Sequence, residues 1–114
     1  MRFIIIGPGA VGGVVAARLA GSGADVAVVA RGPHLAAIRR DGLLLREAGG
    51  DSVHRLPAHE SPAAVDWRAD DVAVLAVKGG DTHAVLEQLP RDRPVVCLQN
   101  GVANERSALR MVAR

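Results

Sequence analysis

The sequence predicts an α/β protein with a Rossmann-like, doubly wound and mostly parallel sheet that is incomplete at its C-terminus. Short apolar runs recur along the 114-residue chain, and their β-branched character is typical of strands buried on both faces. Helical patterns separate several of these runs, which is the order expected of a parallel sheet with crossover helices. The first apolar run leads directly into a glycine-rich turn.

The first element is a strand over residues 3–6, followed at once by the turn and a helix. The turn consists of Gly7, Pro8, Gly9, Ala10, Val11 and Gly12. It matches G-x-G-x-x-G in the strand-to-helix context that gives this pattern meaning. Gly7 permits the tight turn, Gly9 lets the backbone approach a pyrophosphate, and Gly12 lets the helix pack against the strand. The turn predicts a dinucleotide site at the helix N-terminus, which favours an anion; the alternative is a tight turn without a ligand.

The second strand, over residues 25–30, ends where the choice between NAD and NADP is made. An acidic residue at this position would bind the ribose 2′-hydroxyl of NAD. The chain has Arg31 instead, and its planar guanidinium can hold a 2′-phosphate through paired, charge-assisted hydrogen bonds. Asp25 begins the strand, at the opposite edge. NADP is therefore the predicted cofactor, and the alternative is a solvated surface arginine.

The middle of the chain predicts smaller elements. A short helix over residues 34–40 follows Gly32-Pro33. Two strands, over residues 43–47 and 52–56, are joined across Gly49-Gly50 and predict a hairpin. Beyond them we expect a single helical turn capped by Ser61, and we assign no chemistry to this polar, proline-marked stretch.

Two polar residues follow later strands. Lys78, the only lysine, comes after a strand over residues 71–77, and Asn100 comes after a strand over residues 95–98. The carboxyl ends of these strands lie on the cofactor edge of an open α/β sheet. The Asn100 amide can donate to and accept from a ribose, a nicotinamide or a substrate. The alternatives are a solvated lysine and a turn-forming asparagine beside Gly101.

Two helices complete the prediction. The first covers residues 83–89 and is capped by Asp81 and Thr82. The second covers residues 102–114, whose apolar positions follow an amphipathic pattern.

Composition restricts the class of function. The net charge is +2, and the basic residues are spread without a dense run or aromatic interleaving, so we expect no nucleic-acid partner. We find no apolar segment of transmembrane length and no signal-peptide pattern, and therefore expect a soluble cytoplasmic protein that contacts no membrane. Cys97 lies in an apolar run and is expected to be a buried structural thiol. We expect no metal site.

Taken together, these motifs resemble the N-terminal part of the ketopantoate reductase (2-dehydropantoate 2-reductase) family over nearly the whole chain. The matching segments are Ile5-Ile6-Gly7-Pro8-Gly9-Ala10-Val11-Gly12-Gly13, Val29-Ala30-Arg31-Gly32 with His34-Leu35, Leu75-Ala76-Val77-Lys78, and Leu98-Gln99-Asn100-Gly101-Val102-Ala103-Asn104-Glu105.

The resemblance implies an NADPH-dependent reduction of the ketone of 2-dehydropantoate to (R)-pantoate, a step toward pantothenate and coenzyme A. It implies that Arg31 and Lys78 hold the 2′-phosphate end and that Asn100 lies near the nicotinamide ribose and the substrate, as the catalytic-site residue of this chain. The family's catalytic lysine and acidic substrate-binding residues belong to a C-terminal helical domain. Residues 1–114 are therefore expected to be a partial NADP-binding Rossmann domain without that helical domain, inactive alone.

Two other functions stay open at this point. One is a non-catalytic Rossmann module that senses a dinucleotide and regulates a partner. The other is a dehydrogenase with the same cofactor domain that acts on another 2-keto or hydroxy acid. For the reductase, the expected partner is a small-molecule 2-keto acid, and exposed apolar edges make a homodimer a further candidate.

Overall fold

The computed structural model describes residues 1–7, 9–76, 79–98 and 109–112. The strands are β1 (Arg2–Ile6), β2 (Asp25–Val29), β3 (Leu43–Glu47), β4 (Gly50–His54), β5 (Ala58–His59), β6 (Asp71–Leu75), β7 (Val95–Leu98) and β8 (Leu109–Val112). The helices are α1 (Ala10–Gly21), α2 (Gly32–Asp41) and α3 (Gly79–Glu87), with a short 3₁₀ turn at Pro62–Ala64.

The main sheet has the strand order β5-β2-β1-β6-β7-β8. The first five strands in this order are parallel to one another, and β8 runs antiparallel to β7. The chain adds β2 and β5 on one side of β1 and then crosses to add β6 and β7 on the other side. This confirms the Rossmann-like, mostly parallel sheet and places its topological switch point between β1 and β6, where such sheets bind ligands.

Side chains from β1 supply both faces of the core because successive residues of a strand point to opposite sides. Ile5 faces the layer formed by α1, α2 and the β3–β4 hairpin, whereas Ile4 and Ile6 face the layer that contains Val65 and Leu89. Ile4 and Ile5 are fully buried. Central parallel strands covered on both faces explain why their sequences are continuously apolar.

The predicted hairpin exists as β3 and β4, which form a separate two-stranded sheet that packs against α1, but its second strand is Gly50–His54 rather than residues 52–56. Glu47 pairs with Gly50, so the two-residue turn is Ala48-Gly49 rather than Gly49-Gly50. Alternation along β3 buries Leu43 and Leu45 and leaves Leu44 exposed. The hairpin therefore covers α1 with one face only.

Two sequence predictions about helices are wrong. Helix α3 begins at Gly79, so Asp81 and Thr82 lie inside it rather than capping a helix over residues 83–89. The connection from β6 is only three residues long, a usual length for a turn from strand to helix.

The second wrong prediction is the helix over residues 102–114. Within this range, Leu109–Val112 is a strand paired with β7, and the rest lies outside the described residues. The edge of β7 offers backbone hydrogen-bonding groups, and β8 pairs with them despite the helical pattern.

Strand β5 and the helical turn after it also refine the prediction. The sequence did not predict β5, which extends the parallel sheet beyond β2. The predicted turn exists as Pro62–Ala64, with Ser61 at its N-cap position, but the Ser61 side chain makes no capping hydrogen bond.

The amino-terminal edge of the sheet is held by a buried ion pair. Arg2 donates from Nε to Asp71 Oδ1 at 2.9 Å and from Nη2 to Asp71 Oδ2 at 2.7 Å. Arg2 also donates to the Asp66 carbonyl, and the backbone N–H of Arg68 donates to Asp71. Burial acts to raise the pKa of Asp71, but these hydrogen bonds outweigh it and hold that pKa below its usual value. This pair joins β1 to β6 at the edge opposite the predicted cofactor site.

Candidate functional site

A cavity of about 500 Å³ opens at the carboxyl ends of β1, β2 and β5 and beside α3. Its volume lies within the range of small-molecule sites, roughly 300–1,000 Å³. Its wall includes Gly7 and Gly9 of the glycine turn together with Arg31. The fold thus brings the predicted turn and the predicted 2′-phosphate residue to a single cavity.

The turn after β1 has the geometry that requires glycine at its first position. Gly7 has φ of 83°, in the left-handed region that favours glycine. Its N–H donates to the Val29 carbonyl at 3.0 Å, which ties the turn to the end of β2. The Gly7 carbonyl in turn accepts from the N–H of Gly9 at 2.8 Å. Pro8, also predicted to belong to the site, lies outside the described residues.

Gly12 is required for packing. A Cβ at this position would lie 2.6 Å from the Gly7 carbonyl oxygen and 2.7 Å from the Ala76 Cβ. Neither atom is the free end of a flexible side chain, so neither can move without shifting the backbone. Gly12 therefore lets α1 lie directly against the strand ends, as the sequence predicted.

Gly9 differs from Gly12 because nothing in the described part of the protein lies within 4 Å of a Cβ added there. Gly9 is the N-cap of α1, with no side-chain capping hydrogen bond and no acidic residue in the first turn. The first intrahelical bond runs from the Gly13 N–H to the Gly9 carbonyl. The backbone N–H groups of Ala10, Val11 and Gly12 precede it, which leaves them available to an outside anion.

The end of β2 leads through Ala30 to Arg31, which is the exposed N-cap residue of α2. In the described part of the chain the Arg31 guanidinium forms no hydrogen bond or ion pair. His34, in the first turn of α2, lines the cavity beside it. At the position predicted to bind the 2′-phosphate, the described part of the site therefore has a guanidinium without a hydrogen bond or ion pair.

The wall formed by Glu60, Ser61 and Pro62 was missed by the sequence analysis. These residues reach the cavity because β5 pairs with β2, with the Ala30 N–H donating to the His59 carbonyl at 3.0 Å. A two-residue strand has too short an alternation to be detected from sequence. The Trp67 indole N–H donates to the Pro62 carbonyl at 2.9 Å and holds the turn that follows.

The opposite wall comes from Ala76 and from the α3 residues Ala84, Val85 and Gln88. The Ala76 N–H donates to the Ile6 carbonyl at 2.9 Å and fixes this wall against β1. Lys78 and Asn100 lie outside the described residues, so their predicted roles stay predictions.

Among the described residues, three ionisable side chains line the cavity: Arg31, His34 and Glu60. The cavity is lined by the glycine turn with its backbone N–H groups, by the apolar side chains of Ile6 and Val29, and by the cation of Arg31. This combination suits an elongated anionic ligand such as a dinucleotide. No metal-binding group of His, Cys, Asp and Glu occurs among the described residues. None of the helices in the described ranges could span a membrane.

Comparison with known proteins gives one consistent result. The family model described as Ketopantoate reductase PanE/ApbA matches residues 3–114. A 2-dehydropantoate 2-reductase from Mesorhizobium japonicum is 41% identical over 107 residues, covering 90% of this chain and 32% of the relative. One from Pyrococcus horikoshii is 31% identical over 117 residues, covering 100% of this chain and 38% of the relative. The chain thus spans about a third of the length of these curated relatives.

Solved structures agree with the sequence comparison. The 2-dehydropantoate 2-reductase from Methylococcus capsulatus superposes with a TM-score of 0.73 at 27% identity, covering 93% of this chain and 36% of that structure. A ternary structure of D-mandelate dehydrogenase with NADH and anilino(oxo)acetate superposes with a TM-score of 0.76 at 26% identity, covering 90% of this chain and 34% of that structure.

Proposed function

The chain belongs to the ketopantoate reductase PanE/ApbA family, and from this membership we propose that it is the NADPH-binding part of a reductase that transfers hydride to a 2-keto acid. The specific proposal is 2-dehydropantoate as substrate and pantoate as product, within pantothenate and coenzyme A synthesis. The observation that carries it is the cavity at the sheet switch point, bounded by the glycine turn and by Arg31. The remaining length of the relatives is expected to supply the catalytic lysine and the substrate pocket.

Different residues are proposed to hold different parts of the cofactor. Backbone N–H groups at the start of α1 bind the pyrophosphate, and Gly9 leaves room for its close approach. Arg31 binds the 2′-phosphate, and Lys78 is proposed to join it there. Bound NADPH supplies the hydride. Asn100 is proposed to orient the nicotinamide and the keto acid through its amide.

A second candidate is a dehydrogenase for another 2-keto or hydroxy acid. The observation that favours it is the superposition on D-mandelate dehydrogenase, whose structure contains NADH and anilino(oxo)acetate. A cofactor domain shared by enzymes with different substrates cannot by itself specify the substrate. Turnover of a series of 2-keto acids by the longest product of the gene distinguishes the two. Preference for 2-dehydropantoate supports the first candidate, and preference for an aromatic keto acid supports the second.

Titration of the 114-residue chain with NADPH and NADH by calorimetry tests the cofactor proposal. We expect NADPH to bind more tightly than NADH, and Arg31→Ala to weaken NADPH at least tenfold while changing NADH much less, as loss of a charged hydrogen-bonding partner predicts. Arg46→Ala is the matched control, because Arg46 is exposed on the hairpin and outside the cavity lining. Equal losses in the two variants, or NADH binding as tightly as NADPH, would overturn the role of Arg31.

Asn100 is tested separately, in the longest product of the gene. Asn100→Ala is expected to lower turnover of the keto acid, since the amide is proposed to orient both reactants. Unchanged steady-state kinetics would return Asn100 to the role of a turn residue. A protein that binds NADPH and reduces no keto acid in this form would favour the non-catalytic sensing module.

A further inference from the structure

The cavity contains an acidic side chain that neither the sequence motifs nor the proposed function uses. Glu60 is exposed and lines the cavity on the same side as Arg31. We propose that Glu60 is a specificity-determining residue that limits the preference for NADPH by opposing the 2′-phosphate and accepting a hydrogen bond from a free ribose hydroxyl. This inference rests on the proposed dinucleotide function and concerns how strongly the same site selects its cofactor.

Strand pairing fixes where Glu60 lies. His59 pairs with Val29, and the Ala30 N–H donates to the His59 carbonyl at 3.0 Å. Glu60 directly follows β5, and Ala30 and Arg31 directly follow β2, so continuing the register places Glu60 opposite Ala30, one residue before Arg31. Neighbouring strands lie about 4.8 Å apart, so the backbones of Glu60 and Arg31 meet at the same corner of the sheet.

The segment that follows Glu60 is held in place. The Pro62 carbonyl accepts from the Trp67 indole N–H at 2.9 Å and from the Val65 N–H at 3.2 Å. Trp67 is itself partly buried against the core. With β5 on one side and this turn on the other, the backbone of Glu60 has a defined position relative to the cavity.

Glu60 and Arg31 do not neutralise each other. In the described part of the chain neither side chain forms an ion pair or a hydrogen bond. His34 is the other ionisable side chain that the described residues place on this wall. An incoming adenosine ribose therefore meets a free carboxylate as well as a free guanidinium.

The guanidinium of Arg31 and the carboxylate of Glu60 have opposite charges and opposite hydrogen-bonding roles. A guanidinium donates hydrogen bonds and attracts phosphate, whereas a carboxylate only accepts hydrogen bonds and repels phosphate. A ribose 2′-hydroxyl can donate to the carboxylate of Glu60, and a 2′-phosphate cannot. Arg31 thus favours NADPH while Glu60 favours NADH, and the net selectivity is smaller than Arg31 alone would produce.

Two substitutions separate charge from hydrogen bonding. Glu60→Gln removes the charge and keeps an accepting oxygen, whereas Glu60→Ala removes both. We expect Glu60→Gln to tighten NADPH binding roughly threefold to tenfold, the range expected for a unit charge acting across a partly hydrated site, with NADH changing less than about twofold. Glu60→Ala should tighten NADPH similarly and weaken NADH roughly threefold, as loss of a neutral hydrogen bond predicts.

Calorimetric titration of the 114-residue chain with NADPH and with NADH provides the measurement. Glu47→Gln is the control, because Glu47 lies on the hairpin, pairs with Arg18 and is outside the cavity lining. The role of Glu60 is overturned if the wild-type chain binds NADPH but neither Glu60 variant changes the ratio of NADPH affinity to NADH affinity. That result would leave the proposed function standing. Failure of the wild-type chain to bind either dinucleotide would overturn both.

Discussion

Gly9 and Gly12, three residues apart in one turn, are expected to fail in different ways when each is changed to alanine. Gly12 faces the protein, with the Gly7 carbonyl oxygen 2.6 Å and the Ala76 Cβ 2.7 Å from an added Cβ. Gly9 faces open space, with nothing in the described part of the chain within 4 Å of an added Cβ. Gly12→Ala should therefore damage the fold, and Gly9→Ala should damage ligand binding.

The size of each effect follows from these distances. Carbon atoms in good contact are about 3.5–4.0 Å apart, so Gly12→Ala forces α1 and the strand ends apart by about 1 Å. Overpacking of this kind costs about 1–3 kcal/mol, and replacing a helical glycine recovers about 0.5–1 kcal/mol. We expect a net loss of about 1–2 kcal/mol and a melting temperature about 4–10 °C lower. Gly9→Ala should cost about 0.5–1 kcal/mol, because alanine is a poorer N-cap residue than glycine and the Gly9 backbone, with φ of −77° and ψ of −146°, lies outside the regions that alanine prefers.

The assay combines thermal unfolding with NADPH calorimetry on the same two variants. Gly9→Ala should lower the melting temperature by no more than about 5 °C and lose roughly tenfold or more in NADPH affinity, since a methyl group would separate the backbone from the pyrophosphate. For Gly12→Ala, the main effect should be the lower melting temperature rather than a change in NADPH affinity. An unchanged melting temperature for Gly12→Ala would refute the packing argument, and unchanged NADPH affinity for Gly9→Ala would refute the placement of the pyrophosphate.

Three further predictions concern stability. Arg2→Ala should destabilise the protein by about 3–5 kcal/mol in urea unfolding, because it leaves the buried Asp71 carboxylate without its partner; a cost below about 1 kcal/mol would show that the pair is dispensable. Its hydrogen bonds hold the folded-state pKa of Asp71 below its ordinary value of 3.8. The contribution of Asp71 to stability should therefore be fully present above that pH and be lost as the pH falls through the lowered pKa, and Asp71→Asn should remove this dependence. The pKa of His59 is lowered from 6.5 by burial, aided by the charges of Arg2 and Arg39. Because the unfolded chain then binds more protons than the folded chain, stability should fall as the pH drops below about 6.5. His59→Gln should flatten that slope in unfolding curves collected between pH 7 and pH 5.

The structural features around the cavity that the sequence predicted are built from consecutive residues. The strand β1, the turn at Gly7, the close packing of Gly12 and the position of Arg31 at the end of β2 all follow from local patterns. Each of these features can be predicted from a short run of consecutive residues, because the turn, the helix start and the strand end are adjacent in sequence. The roles of Lys78 and Asn100 rest on the same type of signal but lie outside the described residues.

The sequence by itself determined the parallel sheet, because strands buried on both faces must be continuously apolar, and it determined the glycine turn, because left-handed and close-packed backbone positions admit little else. Only the tertiary structure decided which distant segments meet. It pairs Arg2 with Asp71, brings Glu60 to the corner occupied by Arg31, and makes Leu109–Val112 a strand on the edge of β7. The physical reason is that strand order and unpaired sheet edges determine these contacts, and neither is encoded in the local pattern of the residues that make them.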